Sequence, residues 1–90
     1  MHESLTVRRK RLLYQSRYRG RLEGDLLFGA FADRHLASLS GAQLDRYEAL
    51  LQESDQDLLA WIFGQEPVPE RHDHDVLRLL QDLRLVERQA

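Results

Sequence analysis

The sequence predicts an all-α fold, a compact antiparallel five-helix bundle forming a single domain over residues 1–90. Apolar residues recur at helical spacing almost everywhere, with neither sustained apolar/polar alternation nor hairpin dipeptides of the Asn-Gly kind. Ninety residues support one hydrophobic core and no second domain. Helix-boundary residues also recur along the chain at Gly20, Ser40, Ser54, Gly64 and Pro67, which divides it into short helices with short connections.

The first helix is expected from about Thr6 to Tyr18, with Val7, Leu12, Leu13, Tyr14 and Tyr18 as its apolar side and arginines filling the remainder. Gly20 is expected to end it, because a left-handed C-terminal residue carries no Cβ penalty when it is glycine. A second helix from Leu22 to about Ser38 has Glu23 and Asp25 in its first turn, where carboxylates favour the positive end of the helix dipole. Its middle, Leu26-Leu27-Phe28-Gly29-Ala30-Phe31-Ala32, is apolar nearly all round and marks a central element, with Gly29 expected to permit close packing.

Ser40 stands three residues before Gln43, the spacing of a capping box, and opens a third helix whose inner face is Leu44, Tyr47, Leu50 and Leu51. Ser54 caps a fourth, short helix beginning at Asp55, with Leu58, Leu59, Trp61, Ile62 and Phe63 directed to the core before Gly64. Pro67 and Pro69 hold an extended linker from about Gln65 to His72. The fifth helix, about Asp73 to Arg88, carries Val76, Leu79, Leu80, Leu83 and Val86 in one stripe.

Composition excludes several classes of function. Without cysteine the chain offers no disulfide, thiolate zinc site, iron–sulfur ligand or thiol nucleophile. No uninterrupted apolar run approaches the length of a membrane span, so membrane insertion is not expected. None of the five serines sits in a Gly-x-Ser-x-Gly elbow, and phosphate-binding glycine loops are absent. His72-x-His74 beside Asp73 and Asp75 lacks the three or four convergent ligands of a structural metal site, and reads as an acidic helix start. The chain is therefore expected to be no enzyme and to hold no metal. The basic amino end lacks a secretory apolar stretch and a cleavage site, so a cytosolic location is expected, with Met1 near the domain start.

The net charge of −2 conceals a division: residues 1–21 carry a net +6 and residues 22–90 a net −8. A basic segment on an acidic body suits an electronegative partner, or is a solvated helix face. Arg8-Arg9-Lys10-Arg11 could neutralise phosphates, yet the acidic remainder would repel a duplex. The corner Tyr18-Arg19-Gly20-Arg21-Leu22-Glu23 is more informative. A helix stop and restart explains Gly20 and Glu23, but leaves Arg17, Arg19 and Arg21 crowded beside Glu23 and Asp25 without a purpose. Such a corner offers a donor fork, an acceptor and a glycine that another backbone can approach.

The run Arg8-Arg9-Lys10-Arg11-Leu12-Leu13-Tyr14-Gln15-Ser16-Arg17-Tyr18-Arg19-Gly20-Arg21-Leu22-Glu23 closely resembles the succinate dehydrogenase assembly factor family, the small flavinylation factors of bacteria and mitochondria. Their Arg-Gly-x-x-Glu signature stands here as Arg19, Gly20 and Glu23, followed in the family's order by Phe31, His35-Leu36, Asp55-x-Asp57-Leu58, Trp61 and Pro67-x-Pro69, so that the resemblance covers residues 7–86. Arg21 and Gly24 depart from the family's commoner Met and larger residue.

The resemblance implies a non-catalytic assembly factor for the flavoprotein subunit of succinate dehydrogenase, and of the related fumarate reductase. It implies that FAD is not held stably by this chain but becomes attached through its 8α carbon to a histidine of the flavoprotein. Arg19, Gly20 and Glu23 would contact that subunit, Asp25 would support the helix start or add a contact, and Arg17 and Arg21 would chiefly speed encounter. The implied location is the cytoplasm of a bacterium, or the mitochondrial matrix for a processed eukaryotic chain. Two other readings remain at this point, a nucleic-acid-binding regulator and a general helical protein adaptor.

Overall fold

Helix α1 (Leu5–Arg17) starts where the Ser4 hydroxyl accepts the Val7 amide at 3.1 Å, one residue before the expected start. The computed structural model describes the backbone of residues 3–19 and 22–89, and the side chains of 3–19 and 26–83. The inward face of α1 is narrow, with Leu12 and Ser16 fully buried and Leu13 packed at the core edge. Val7, Tyr14 and Tyr18 do not belong to that face: Val7 is 54% exposed, Tyr14 66% and Tyr18 67%. The reason is angular, since Tyr14 lies two positions from both Leu12 and Ser16, a rotation of about 200° at 3.6 residues per turn.

Helix α2 (Leu22–His35) follows a connection of residues 18–21 and packs on α1 as an αα-hairpin. Gly20, expected to end α1, lies outside the described residues. Leu27, Phe28, Phe31 and Ala32 are buried, whereas Leu26, read as part of an all-round apolar stretch, faces water. The α-helix stops at His35 rather than at Ser38, and Leu36–Ser38 tighten into a 3-10 turn that buries Leu36. Gly29 is not needed for close approach, because a Cβ built there meets Arg17 Cγ at 3.6 Å, an ordinary van der Waals contact.

Helix α3 (Gly41–Leu51) carries the expected capping box: the Gln43 amide donates to Ser40 Oγ at 3.2 Å, and the Ser40 amide to Gln43 Oε1 at 2.9 Å. Leu44, Tyr47, Leu50 and Leu51 turn inward as their spacing predicts. Helix α4 (Asp55–Ile62) begins at the Ser54 cap, buries Leu58, Trp61 and Ile62, and is closed by Gly64 at φ 74°, a left-handed conformation that suits glycine.

The linker then runs back over α4 and ends in a 3-10 turn, Glu70–His72. His72 is buried, its ring 5.4 Å from that of Trp61 and its Nε2 3.2 Å from Glu53 Oε2. Arg71 pairs with the same carboxylate at 2.7 Å and lies over the Trp61 ring, 5.9 Å from its centroid. Helix α5 (Asp75–Gln89) starts two residues later than expected, because His74 takes the cap position and its Nδ1 accepts the Leu77 amide at 3.3 Å. Val76, Leu80 and Leu83 face the core as expected, and Leu77, outside the expected stripe, joins them; Leu79 is only partly buried and the Val86 side chain lies outside the described residues.

Among the described residues these five α-helices and two 3-10 turns enclose one core, with no strand. At its centre the fully buried Tyr47 ring packs 4.9 Å from Phe31. Ser16 Oγ donates to the Leu12 carbonyl at 2.7 Å, which leaves it to accept the Tyr47 hydroxyl at 2.6 Å. Burial pushes the Tyr47 phenol well above its ordinary pKa, so this hydrogen bond is made by the neutral form.

Two measurements test this packing. Phe31→Ala is expected to cost about 3–5 kcal/mol, a large part of the stability of so small a domain, whereas Gly29→Ala should gain up to ~1 kcal/mol from helix propensity; thermal melts read both signs. His74 is held below its ordinary pKa by burial, and the Leu77 amide at Nδ1 also requires a neutral ring. A depressed folded-state value means that its stabilisation is complete above the unfolded value of about 6.5 and is lost as pH falls through the folded one. His74→Asn retains a cap without that titration, so its stability should fall less than wild type between about pH 7 and 5.5 in denaturant titrations.

Candidate functional site

The corner between α1 and α2 is built outward from Arg19. Two residues beyond the end of α1, this side chain turns inward, and only 9% of it remains exposed. Its Nε donates to Asp55 Oδ1 at 2.6 Å, Nη1 to the Leu51 carbonyl at 3.1 Å and Nη2 to the Glu53 carbonyl at 3.1 Å. The guanidinium carbon lies 5.1 Å from the centroid of Phe28. Arg19 thus caps the C-terminal end of α3, where the helix dipole favours a cation, and meets the first residue of α4 with a carboxylate that is itself 90% covered. Only a planar fork with several fixed donors satisfies this set of acceptors.

The other sequence-predicted site residues are placed differently. Arg17 lies along α2, donating to Asp33 Oδ1 at 2.6 Å from a half-exposed position, so its charge is paired on the surface of the hairpin. Gly20 and Arg21 lie outside the described residues, as do the side chains of Glu23 and Asp25, whose backbone forms the first turn of α2. Structure therefore brings Arg19 together with Asp55, Leu51 and Glu53 from the α3–α4 turn, a grouping that spacing along the chain did not suggest.

Sequence reasoning missed the tyrosines. Tyr14 and Tyr18 stack on the outer surface with ring centroids 4.6 Å apart, immediately before Arg19. With Gln15, Arg19, Leu51 and Gln52 they line a cleft of about 350 Å³ between α1 and the end of α3. The available signal was the i, i+4 pair of Tyr set two positions out of phase with Leu12 and Ser16.

The basic stretch is engaged within the molecule. Arg8 bonds Asp45 at 2.7 Å and Glu48 at 2.9 Å, Arg11 bonds Glu3 at 2.7 Å and Glu48 at 3.0 Å, and Arg9 donates to the Leu39 carbonyl. Hydrogen bonds from Arg11 and then Arg8 hold the Glu48 carboxyl below its ordinary range. The guanidinium groups that a phosphate backbone would need are thus directed at α3, which removes the basis for the nucleic-acid reading. His72 and His74 are also divided between different tasks, and the described residues contain no group of three or more His, Asp or Glu able to hold a metal ion.

Removing one partner of the Arg19–Asp55 pair strands a charge against Phe28. Asp55→Ala is expected to destabilise by on the order of 3 kcal/mol, several times more than Asp33→Ala, which breaks the exposed Arg17 pair; urea melts of the two variants make the comparison.

Residues 10–84 match the family model described as flavinator of succinate dehydrogenase. The chain is 46% identical over 86 residues to the mitochondrial succinate dehydrogenase assembly factor 2 of Candida glabrata, covering 91% of this chain and 56% of that protein. It is 48% identical over 73 residues to the factor of the same name in Dictyostelium discoideum, covering 81% and 52%, and 42% identical over 82 residues to assembly factor 2-A of Drosophila yakuba, covering 89% and 51%. The chain spans little more than half the length of these curated relatives, which are named as mitochondrial assembly factors rather than as enzymes. A match over 75 of the 90 residues, with the Arg-Gly-x-x-Glu corner inside it, places the chain in the flavinator of succinate dehydrogenase family, whose members are non-catalytic assembly factors.

Proposed function

We propose that this chain binds the flavoprotein subunit of succinate dehydrogenase before that subunit joins the rest of its complex, and promotes covalent attachment of its FAD. The observation that carries this reading is the position of the signature: Arg19 ties the α1–α2 corner to the α3–α4 turn through a buried ion pair and two carbonyls, beside two exposed tyrosines. A corner held in this way presents a preformed surface, so little ordering entropy opposes docking.

The roles within the signature then divide. Arg19 positions the corner from below, while Gly20, Arg21, Glu23 and Asp25 are the contacts with the flavoprotein. Arg17, paired with Asp33, adds a rim charge that acts on association rate more than on residence time. FAD stays with the flavoprotein, whose own histidine forms the bond. The factor acts by population shift: it speeds the step only as far as it binds the competent conformer better than the others. A fumarate reductase flavoprotein that shares that conformer is a second client. The place of action is wherever the subunit is prepared, the bacterial cytoplasm or the mitochondrial matrix.

Co-expression with the flavoprotein subunit in cells lacking any such factor tests the proposal, with covalently retained flavin read by fluorescence in a denaturing gel. Wild type should yield flavinylated subunit, and Glu23→Ala, once shown by thermal melt to be folded, should yield several-fold less. Equal flavin with wild type, with the variant and without the factor would overturn the assembly role.

A further inference from the structure

The cleft beside the corner contains a polar atom with nothing to bond. Gln15 Oε1 is shielded from water and has no hydrogen-bond partner, although the rest of the residue sits at the cleft edge among Tyr14, Tyr18, Leu51 and Gln52. Buried acceptors are nearly always satisfied, because leaving one unpaired forfeits the hydration it had in the unfolded chain. A donor brought by a second molecule would remove that cost. The stacked Tyr14 and Tyr18 rings, each about two-thirds exposed, form the outer wall. Tyrosine in this setting gives a large, stiff, amphipathic contact area, the residue chemistry enriched at binding hot spots.

The lining also restricts the occupant. Five of its six side chains are neutral, and the sixth, Arg19, has its guanidinium directed at Asp55 and two carbonyls. A phosphate would meet no cation committed to it. The second cleft, lined by Gln56, Asp57, Ala60, Trp61, Gln65, Glu66 and Pro67, holds two carboxylates and no such unpaired atom. A neutral ligand with an N–H donor and an edge able to lie along two rings is an extended polypeptide backbone. Tyr18 directly precedes Arg19 and Gly20, so a chain seated here would continue onto the signature corner.

We infer that the Tyr14–Gln15–Tyr18 cleft receives an extended segment of the flavoprotein subunit, with one of its backbone N–H groups donating to Gln15 Oε1 and its side chains covered by the two tyrosines. This rests on the assembly reading above and adds to it a surface outside the Arg-Gly-x-x-Glu residues. The unpaired acceptor gives the inference a signature of opposite signs: Gln15→Leu removes an unsatisfied atom from the free protein and an acceptor from the complex.

The test uses the full chain and the purified flavoprotein subunit. Gln15→Leu should raise the thermal midpoint of the free chain and weaken the complex severalfold, while Tyr18→Ala should leave the midpoint near wild type and weaken the complex about tenfold or more. Tyr18→Phe should bind within about threefold of wild type. A photo-crosslinking p-benzoylphenylalanine placed at Tyr18 should join one continuous peptide of the flavoprotein, and the same group at Ala42, at the far end of α3, should not. Wild-type affinity in both Gln15→Leu and Tyr18→Ala would overturn the inference while leaving the assembly reading intact. Crosslinks to a second copy of this chain, or binding of free FAD at the tyrosines, would also overturn it. Absence of any complex with wild type would remove the assembly reading and this inference together.

Discussion

A guanidinium almost out of water needs its charge and its donors answered, and the arrangement of three helices follows from how Arg19 is answered. Asp55 supplies the countercharge at 2.6 Å, and the carbonyls of Leu51 and Glu53 take the remaining direction of the fork. These acceptors exist only where α3 ends and α4 begins, so α1 cannot leave its place without exposing a broken turn elsewhere. Packing of Phe28 under the guanidinium adds α2 to the same knot. Buried ion pairs often contribute little net stability against an apolar alternative, yet they penalise other arrangements heavily. That suits a corner whose value lies in being in one place.

The division of charge along the chain has a related explanation. A basic first segment and an acidic remainder look like a molecule prepared for a distant partner, but Arg8 and Arg11 converge on Glu48, and Arg17 reaches Asp33. Much of the asymmetry is consumed by one helix lying against others. The partially covered Glu48 carboxylate, shared by two arginines, is the centre of the surface network between α1 and α3. What α1 turns outward is less charge than aromatic surface.

Features governed by neighbours in the chain were legible without the structure. The Ser40–Gln43 box, the Ser54 cap and the left-handed Gly64 all depend on contacts within four residues, where spacing determines geometry. The inner faces of α3 and most of α5 followed from their periodicity. Helix α1 was harder, because arginines and tyrosines each combine an apolar body with a polar end and can face either way. Direction there is set by Leu12 and Ser16, and a buried serine carries no hydrophobic signal; only its bond to Tyr47, 31 positions away, accounts for it. The destination of Arg19 is equally non-local, with Asp55 lying 36 positions on. His74 escaped notice as a cap because imidazole is not among the residues usually found in that role.

The single tryptophan sits far from this corner, between α4 and the returning linker, with His72 on one side and Arg71 across its face. Its emission therefore senses whether the linker is docked, while far-ultraviolet circular dichroism senses all five helices at once. Coincident transitions by the two would mark linker and bundle as one cooperative unit; an earlier fluorescence change would mark the segment before α5 as a separately opening one. The molecule thus carries its own reporter at the end opposite to the one where partners are met, and labelling is not needed to watch the two ends independently.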